Sequence, residues 1–441
     1  MGTTSKSGAA VRTFADKQRL LMVAFHYPPD NTSTGVLRTL KFTQYLVEHG
    51  WETDVVSVPI RLYYSTDHDS IDKIPATTRV FRPWAADIKK MLGFRGSYPS
   101  VLGVPDRYWP WIPSAVHTAG RHIRNGEVSA IFTTYPVPSA LLIGLLLKRK
   151  FGLPWIADFR DPWVEDSMIP YRRKIEGYLE HRVLQGADRV ICNTPRMRRW
   201  FLDRYPDIFP GKFITIPNGY DETDLGQVEP AGIGKFEILY SGIITPGNRN
   251  PKPLFAGLRY AIDHGWIDMA EVQLSFLGAG AYGVSKAFIQ DLETFQLQEI
   301  VTLTEHRVPY RQALQRTAGA DVILVLSEPL GNDKHAKAER RWSHLQVPVK
   351  VYEGLGLGCQ ILALVSGGAV TDVLKETRSG LTVAPDDTEG IARALQTLYL
   401  QRREGHHCSP QQDAEKLGQY SRRRLAGRLA AVLAEITTTD R

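Results

Sequence analysis

Four short stretches of this chain concentrate residue types that could do chemistry. In PWIADFRDPWVED (154–166) two carboxylates, Asp158 and Asp161, flank Arg160 directly behind an apolar run. Carboxylates at the end of a strand can take or orient the proton of a hydroxyl, although an Asp–Arg pair can equally serve to lock the strand end. In SGIITPGNRNPKPLF (241–255) Gly242 and Gly247 permit close backbone approach, while Arg249 and Lys252 offer cations to phosphate oxygens. An ordinary basic surface loop has the same composition. In VPVKVYEG (347–354) Lys350 and Glu353 stand three apart, which places them on one helix face, to serve a ligand or to pair with each other. In VSGGAV (365–370) Gly367 and Gly368 precede a helix starting at Ala369, where free backbone N–H groups attract an anion. A plain strand–helix turn would read alike.

A fifth stretch, HYPPDNTSTG (26–35), leaves the apolar run LLMVAF (20–25) through two prolines, which lack N–H donors and end the strand. His26 lies at that strand end, either facing a ligand or hydrogen-bonded in the core. Gly35 opens the following helix and lets backbone come close to a ligand there. His306, in TEHRVPY, is a weaker candidate, and GAG (278–280) is a weak glycine signal.

These stretches sit on an alternating framework. In the first half the strand signals are LLMVAF, TDVVSV (53–58), AIFTT (130–134), PWIAD (154–158), RVICN (189–193) and FITIPN (213–218). Helical patterns lie between them at 36–49, 113–125, 137–150 and 171–186, with Val36, Leu40, Thr43 and Val47 on one face of the first. The second half repeats the grammar with FEILYSG (236–242), VQLSFLG (272–278), IVTLT (300–304), DVILVLS (321–327) and QILALV (360–365). Helices are expected there at 252–264, 310–318, 349–357, 387–402 and 412–437. Strands alternating with helices predict an α/β protein whose parallel sheets are covered on both faces. The acidic, Gly/Pro-marked DETDLGQVEPAGIGKF (221–236) reads as a linker. The expected organisation is therefore a tail over 1–18, a first domain over 19–230, a second over 231–405, and a terminal helix over 406–441. Two facing doubly wound domains would leave a ligand-binding cleft at the C-terminal ends of their strands.

Composition narrows the class. The 441 residues suffice for two domains, and 43% hydrophobic with 23% charged residues is normal for a soluble globular chain. Cys192, Cys359 and Cys408 are scattered singly, which argues against a disulfide framework or a zinc site. The polar N-terminus and short apolar runs predict a cytoplasmic protein. A net charge of +7 fits phosphorylated ligands, an anionic membrane surface or simply a basic surface. Nucleic acid is not expected, because no RNA-binding or helix-turn-helix signature is present. The segment 84–111 breaks the alternation with Trp84, Lys89, Lys90, Phe94, Arg95, Trp109 and Trp111. Such a mixture suits peripheral contact with an anionic membrane, or an insertion that packs its rings back on the domain.

Taken in order, HYPPDNTSTGVLRTLKFTQYLVEHGWETDVVSV, GLPWIADFRDPWVED, ADRVICNTPRMRRWF with ITIPNGYDETDL, and VPVKVYEGLGLGCQILALVSGGAVTDVL resemble the family 4 glycosyltransferases of the GT-B fold. The likeness is strongest to those of bacterial polysaccharide assembly and runs from about residue 20 to 400. It implies two facing Rossmann-like domains with an interdomain cleft. It also implies a retaining, metal-independent transfer of sugar from a nucleotide-diphosphate sugar to a glycan or lipid-linked acceptor, at the inner face of the membrane and without a cofactor. Leaving diphosphate would then be stabilised by cations and helix N-termini. The acceptor proton could pass to that phosphate on the same face.

On the acceptor side the candidate catalytic residues are Asp158, Arg160, Asp161 and His26, all at strand ends. The candidate donor-binding residues are Gly35, Gly242, Arg249, Lys252, Lys350, Glu353, Gly367 and Gly368, and the resemblance assigns Glu353 to the ribose hydroxyls. In this fold the diphosphate belongs mainly to the second domain, so 26–35 is expected to face sugar and acceptor. The chain departs from the family pattern where Ile243 replaces a cation, where Leu345 replaces a first glutamate, and where no histidine accompanies Asp158. A nucleotide-sugar epimerase or hydrolase on the same fold, or a non-catalytic nucleotide-sugar-binding protein, are the other readings.

Overall fold

The computed structural model describes residues 18–92, 99–165, 168–404 and 413–438. Residues 1–17 of the expected tail, Phe94, Arg95 and Cys408 lie outside the described residues. The first sheet has seven strands: β1 (Gln18–Ala24), β2 (Trp51–Val56), β3 (Arg79–Phe81), β4 (Ala130–Thr134), β5 (Trp155–Phe159), β6 (Arg189–Cys192) and β7 (Phe213–Thr215). Their spatial order is β3-β2-β1-β4-β5-β6-β7. A second sheet of six strands comprises β8 (Phe236–Ser241), β9 (Val272–Leu277), β10 (Val301–Leu303), β11 (Val322–Leu326), β12 (Gln360–Leu364) and β13 (Gly380–Val383). Its order, β10-β9-β8-β11-β12-β13, repeats the doubly wound pattern of the first. β1 runs parallel to β2 and β4, and β8 runs parallel to β9 and β11. Both sheets thus reverse winding direction beside their first strand, where open α/β sheets bind ligands.

The chain divides into two compact units. One holds 1–157, 186–188 and 429–441; the other holds 158–185 and 189–428, so the division falls within β5. In the first unit Leu20, Leu21, Met22, Val23 and Ala24 are fully buried, as a continuous apolar run on a strand covered on both faces must be. Each of the larger side chains among them contributes about 1.5–3 kcal/mol of burial free energy. The helix Gly35–Leu46 buries Val36, Leu40 and Thr43, and its Phe42 ring meets Phe132 of β4 edge-on at 5.9 Å.

In the second unit the period-2 geometry of the strands separates two cores. Ile238, Tyr240, Phe276 and Leu324 face one way onto Phe255, Phe288 and Leu395. Leu239, Ile323, Val325 and Ile361 face the other way onto Val351, Leu355 and Leu374.

Several expected elements end differently. The first helix stops at Leu46, and Val47–His49 form a 3-10 turn closed by Gly50 at φ 80°, which leaves Val47 exposed. A helix from Lys334 to Ser343, absent from the expected elements, precedes the helix Val349–Gly356. The Asp333 carboxylate caps the former by accepting from the Ala336 N–H. The single helix expected over 412–437 divides into Ala414–Gly418 and Arg422–Thr438.

Candidate functional site

The second sheet turns over at β8, and the chain leaves that strand through Ser241 and Gly242. Gly242 adopts φ 122°, which disfavours any side chain, and a Cβ there would come 3.4 Å from the Lys350 Nζ. Lys350 sits on the helix Val349–Gly356 and places its ammonium 3.6 Å from the centre of the Tyr240 ring. Burial and the neighbouring Arg249 charge, only partly offset by Glu353, pull the Lys350 ammonium down from the usual 10.5 to about 7. Two cationic groups, Lys350 and Arg249, are thus held close enough to repel one another at the C-terminal end of β8. A phosphate would relieve both. Lys252 is engaged elsewhere, with its Nζ 2.8 Å from Asp291.

Glu353, one turn beyond Lys350, makes no ion pair with it among the described residues. Instead its Oε1 accepts from the Tyr310 hydroxyl at 2.8 Å. Burial raises the Glu353 carboxyl, against the Tyr310 hydrogen bond and the charges of Arg422 and Lys350. Its Oε2 has no hydrogen bond among the described residues. Tyr310 stabilises the carboxylate while leaving half of it open to a hydroxylated ligand.

The turn after β12 is built by residues that sequence reasoning missed. Glu328, buried just past β11, accepts from the Ser366 N–H and pairs with Arg340 Nε at 2.9 Å, with His344 Nε2 at 3.8 Å. Burial acts against the Glu328 charge, but these partners outweigh it and hold the carboxyl below its ordinary range. Gly367 and Gly368 follow at φ 116° and 95°, and a Cβ on Gly368 would lie 2.8 Å from the His344 Cα. The expectation of free N–H groups at Ala369 needs correction, because that N–H donates to the His344 carbonyl at 2.9 Å. Leu345, where the family pattern has a glutamate, contributes a backbone carbonyl that accepts from the Thr194 hydroxyl at 2.6 Å. A lone acid directly behind an apolar strand was the available signal for Glu328. Tyr310 and His344 had none, since their partners come from distant segments.

Asp158, Arg160 and Asp161 are gathered at the end of β5. Asp158 and Arg160 are buried, and Asp161 is half-buried with no hydrogen bond among the described residues. Burial lifts the Asp161 carboxyl, Arg160 lowers it, and Asp158 and Glu165 raise it further. The turn that follows is clamped from the helix Pro170–Gly186. Glu180 Oε1 accepts from the backbone N–H of Trp163 at 2.9 Å and of Val164 at 3.3 Å, and its other oxygen accepts from Tyr205. Glu176 accepts from the Trp163 indole at 2.8 Å and from Arg172. Glu180 is wholly buried, and desolvation lifts it to about 7 despite those three donors.

In the first unit His26 Nδ1 lies 2.5 Å from Asp30 Oδ2, and Asp30 also accepts from the Thr32 N–H at 2.8 Å. Asn31 N–H donates to Ser65 O, and Asp67 N–H to Pro29 O, so the stretch 26–31 is tied to the loop at 65–67. Gly35 starts its helix with its N–H on the Ser33 hydroxyl at 3.1 Å. Asp54, His122 and Glu127 bring metal-ligand atoms within 4.8 Å of one another, but Arg19 and Arg79 already neutralise Asp54.

No curated protein sequence matches the chain. Residues 35–219 match the family described as glycosyl transferase 4-like domain. Solved structures of similar fold include sucrose-phosphate synthase from Thermosynechococcus elongatus, at 15% identity and TM-score 0.65 over 96% of this chain and 100% of that one. A glycosyltransferase from Rickettsia africae shares 14% identity at TM-score 0.65, covering 96% of this chain and 99% of that one. HepE of Anabaena, solved with UDP-glucose, shares 13% identity at TM-score 0.60, covering 95% and 99%. Residues 35–219 thus match a glycosyl transferase 4-like domain, and the chain has the two Rossmann-like sheets of the GT-B fold.

Proposed function

We propose that the chain is a retaining glycosyltransferase that moves a sugar from a nucleoside-diphosphate sugar to a glycan or lipid-linked acceptor in surface polysaccharide assembly. The observation that carries this reading is the pair of neighbouring cations, Lys350 and Arg249, beside Gly242 at the end of β8. UDP-glucose is the first donor to test, since a protein of similar fold was solved with it.

In this reading Lys350 and Arg249 hold the diphosphate and stabilise the charge that grows as the bond to the anomeric carbon breaks. That stabilisation needs no metal ion. Glu353 Oε2 accepts from the donor ribose. Asp161 orients the acceptor hydroxyl, whose oxygen bonds to the anomeric carbon while its proton passes to the departing phosphate oxygen. His26, Gly35, Asp158 and Arg160 support the acceptor, and Gly367 and Gly368 shape the donor site. Lys252 contributes only after leaving Asp291.

The test is a thermal-shift screen of nucleotides and nucleotide sugars, followed by product analysis with the stabilising donor and a panel of acceptors. A ligand of the native state raises the melting temperature by mass action. Acceptor-dependent release of the nucleoside diphosphate with retained anomeric configuration is expected. Turnover that ignores the acceptor would replace transfer by epimerisation or hydrolysis. Tight donor binding without any turnover would make the chain a binding protein.

A further inference from the structure

Two distant stretches of the second unit pack together on the helix Val349–Gly356. The Arg422 N–H donates to Tyr220 O at 2.9 Å and the Tyr220 N–H to Tyr420 O at 3.1 Å, so residues 219–221 run alongside 420–422. The Tyr420 ring centre lies 5.2 Å from that of Tyr352, and a Cβ on Gly356 would come 2.6 Å from the Tyr220 ring. Both stretches therefore rest on the turns of the helix that carry Glu353.

This packing buries Arg422, the first residue of the helix Arg422–Thr438, at 7% exposure. Its Nε donates to the Gly219 carbonyl at 2.8 Å, while its Nη1 is buried and has no hydrogen bond among the described residues. A buried guanidinium needs an anion close by, because an uncompensated charge is costly to remove from water. Glu353 supplies one. Burial acts against the Glu353 charge, the Tyr310 hydrogen bond, Arg422 and Lys350 favour it, and Asp224 on the helix Glu222–Leu225 opposes it. Tyr310, which donates to Glu353 Oε1 at 2.8 Å, feels the Arg422 charge as well. With Oε1 taken by Tyr310, the cation steadies the carboxylate while Oε2 stays open. An ionised carboxylate accepts at both oxygens, whereas protonation turns one of them into a donor.

We propose that Arg422 is a positioning residue for the donor site, holding the Glu353 carboxylate in place for the ribose hydroxyls. This role rests on the proposed reading of Glu353 as the ribose acceptor. It makes the start of the last helix part of nucleotide recognition.

Titration calorimetry on the full chain can compare UDP with 2′,3′-dideoxy-UDP, which keeps the base and both phosphates but lacks the two hydroxyls. Arg422→Gln should weaken UDP about 10-fold through the loosened charged hydrogen bond at Glu353, and leave dideoxy-UDP within about two-fold of the parent. Arg422→Lys, which keeps the charge, should recover most of the UDP affinity. Equal losses for both nucleotides would make Arg422 a support of the fold alone, and unchanged UDP affinity in Arg422→Gln would leave it no role at Glu353. Either result overturns the inference. A double-mutant cycle of Arg422→Gln with Glu353→Gln, measured by urea unfolding, reads the pair without any nucleotide. Coupling of about 10-fold in the unfolding constant is expected, and additive effects would overturn the inference. A parent that binds neither nucleotide would count against the donor reading, and the cycle alone then decides whether Arg422 holds Glu353.

Discussion

A diphosphate that binds Lys350 must also bring it a proton, so nucleotide affinity should fall as pH rises. In the free protein the ammonium titrates near 7, held down by burial and by Arg249. A bound diphosphate supplies the missing counter-charge and restores the group toward its usual 10.5. The second ionisation of a phosphate has its midpoint near pH 6, so by pH 7 the group is already about nine-tenths ionised and gains little charge above that. Between pH 7 and pH 9 the free protein then loses its proton while the complex keeps it. Linkage predicts an affinity loss of about 50-fold over that interval, or about 2.3 kcal/mol. Near pH 8 binding should take up about 0.9 proton. Titration calorimetry of UDP in two buffers of different ionisation enthalpy reads that uptake directly. Lys350→Met should bind weakly at pH 7 and show no slope. Lys350→Arg, whose guanidinium stays charged, should bind with a flat profile. An affinity independent of pH in the parent, or a slope that survives in Lys350→Met, would refute the reasoning.

Three further outcomes can be measured. Glu353→Ala should reduce donor turnover by about 10- to 100-fold through loss of the ribose contact, worth about 1.5–3 kcal/mol for a charged hydrogen bond, and steady-state kinetics at saturating acceptor would reveal it. Because the Glu180 carboxyl is raised in the folded state to about 7, its stabilising contribution is complete below the unfolded value of 4.5 and is lost as pH rises through 7. Between pH 5 and 8 the parent should therefore lose about 2.5 kcal/mol relative to Glu180→Gln, measured by urea unfolding at each pH. Gly368→Ala should destabilise the second unit by about 1–3 kcal/mol, since its φ of 95° disfavours a side chain and the His344 backbone stands where the methyl group would go. A melting temperature equal to the parent's would count against that packing.

Much of the framework was legible in local pattern. Runs such as LLMVAF and DVILVLS announce buried parallel strands because they are apolar throughout, too short for a buried helix and bounded by turn residues. Helix faces of period 3.6 between them settle the α/β class. Misreadings fell where local signals are weak. Strands β3 and β13 are only three and four residues long, too short for any pattern to stand out. The helix Lys334–Ser343 has a largely charged face, and its start depends on the single cap at Asp333.

The sequence by itself determined the doubly wound alternation, the glycine turns at strand ends and the grouping of Asp158, Arg160 and Asp161, because each rests on neighbours within a few residues. Tertiary structure alone decided what each charged group meets. It set Lys350 on the Tyr240 ring and beside Arg249, gave Glu353 to Tyr310, spent Lys252 on Asp291, and brought Glu328, Arg340 and His344 together under the Ser366–Gly368 turn. Those partners come from separate segments of the chain. Their effect on a charge depends on burial and on distances of a few ångströms, which no spacing along the sequence encodes.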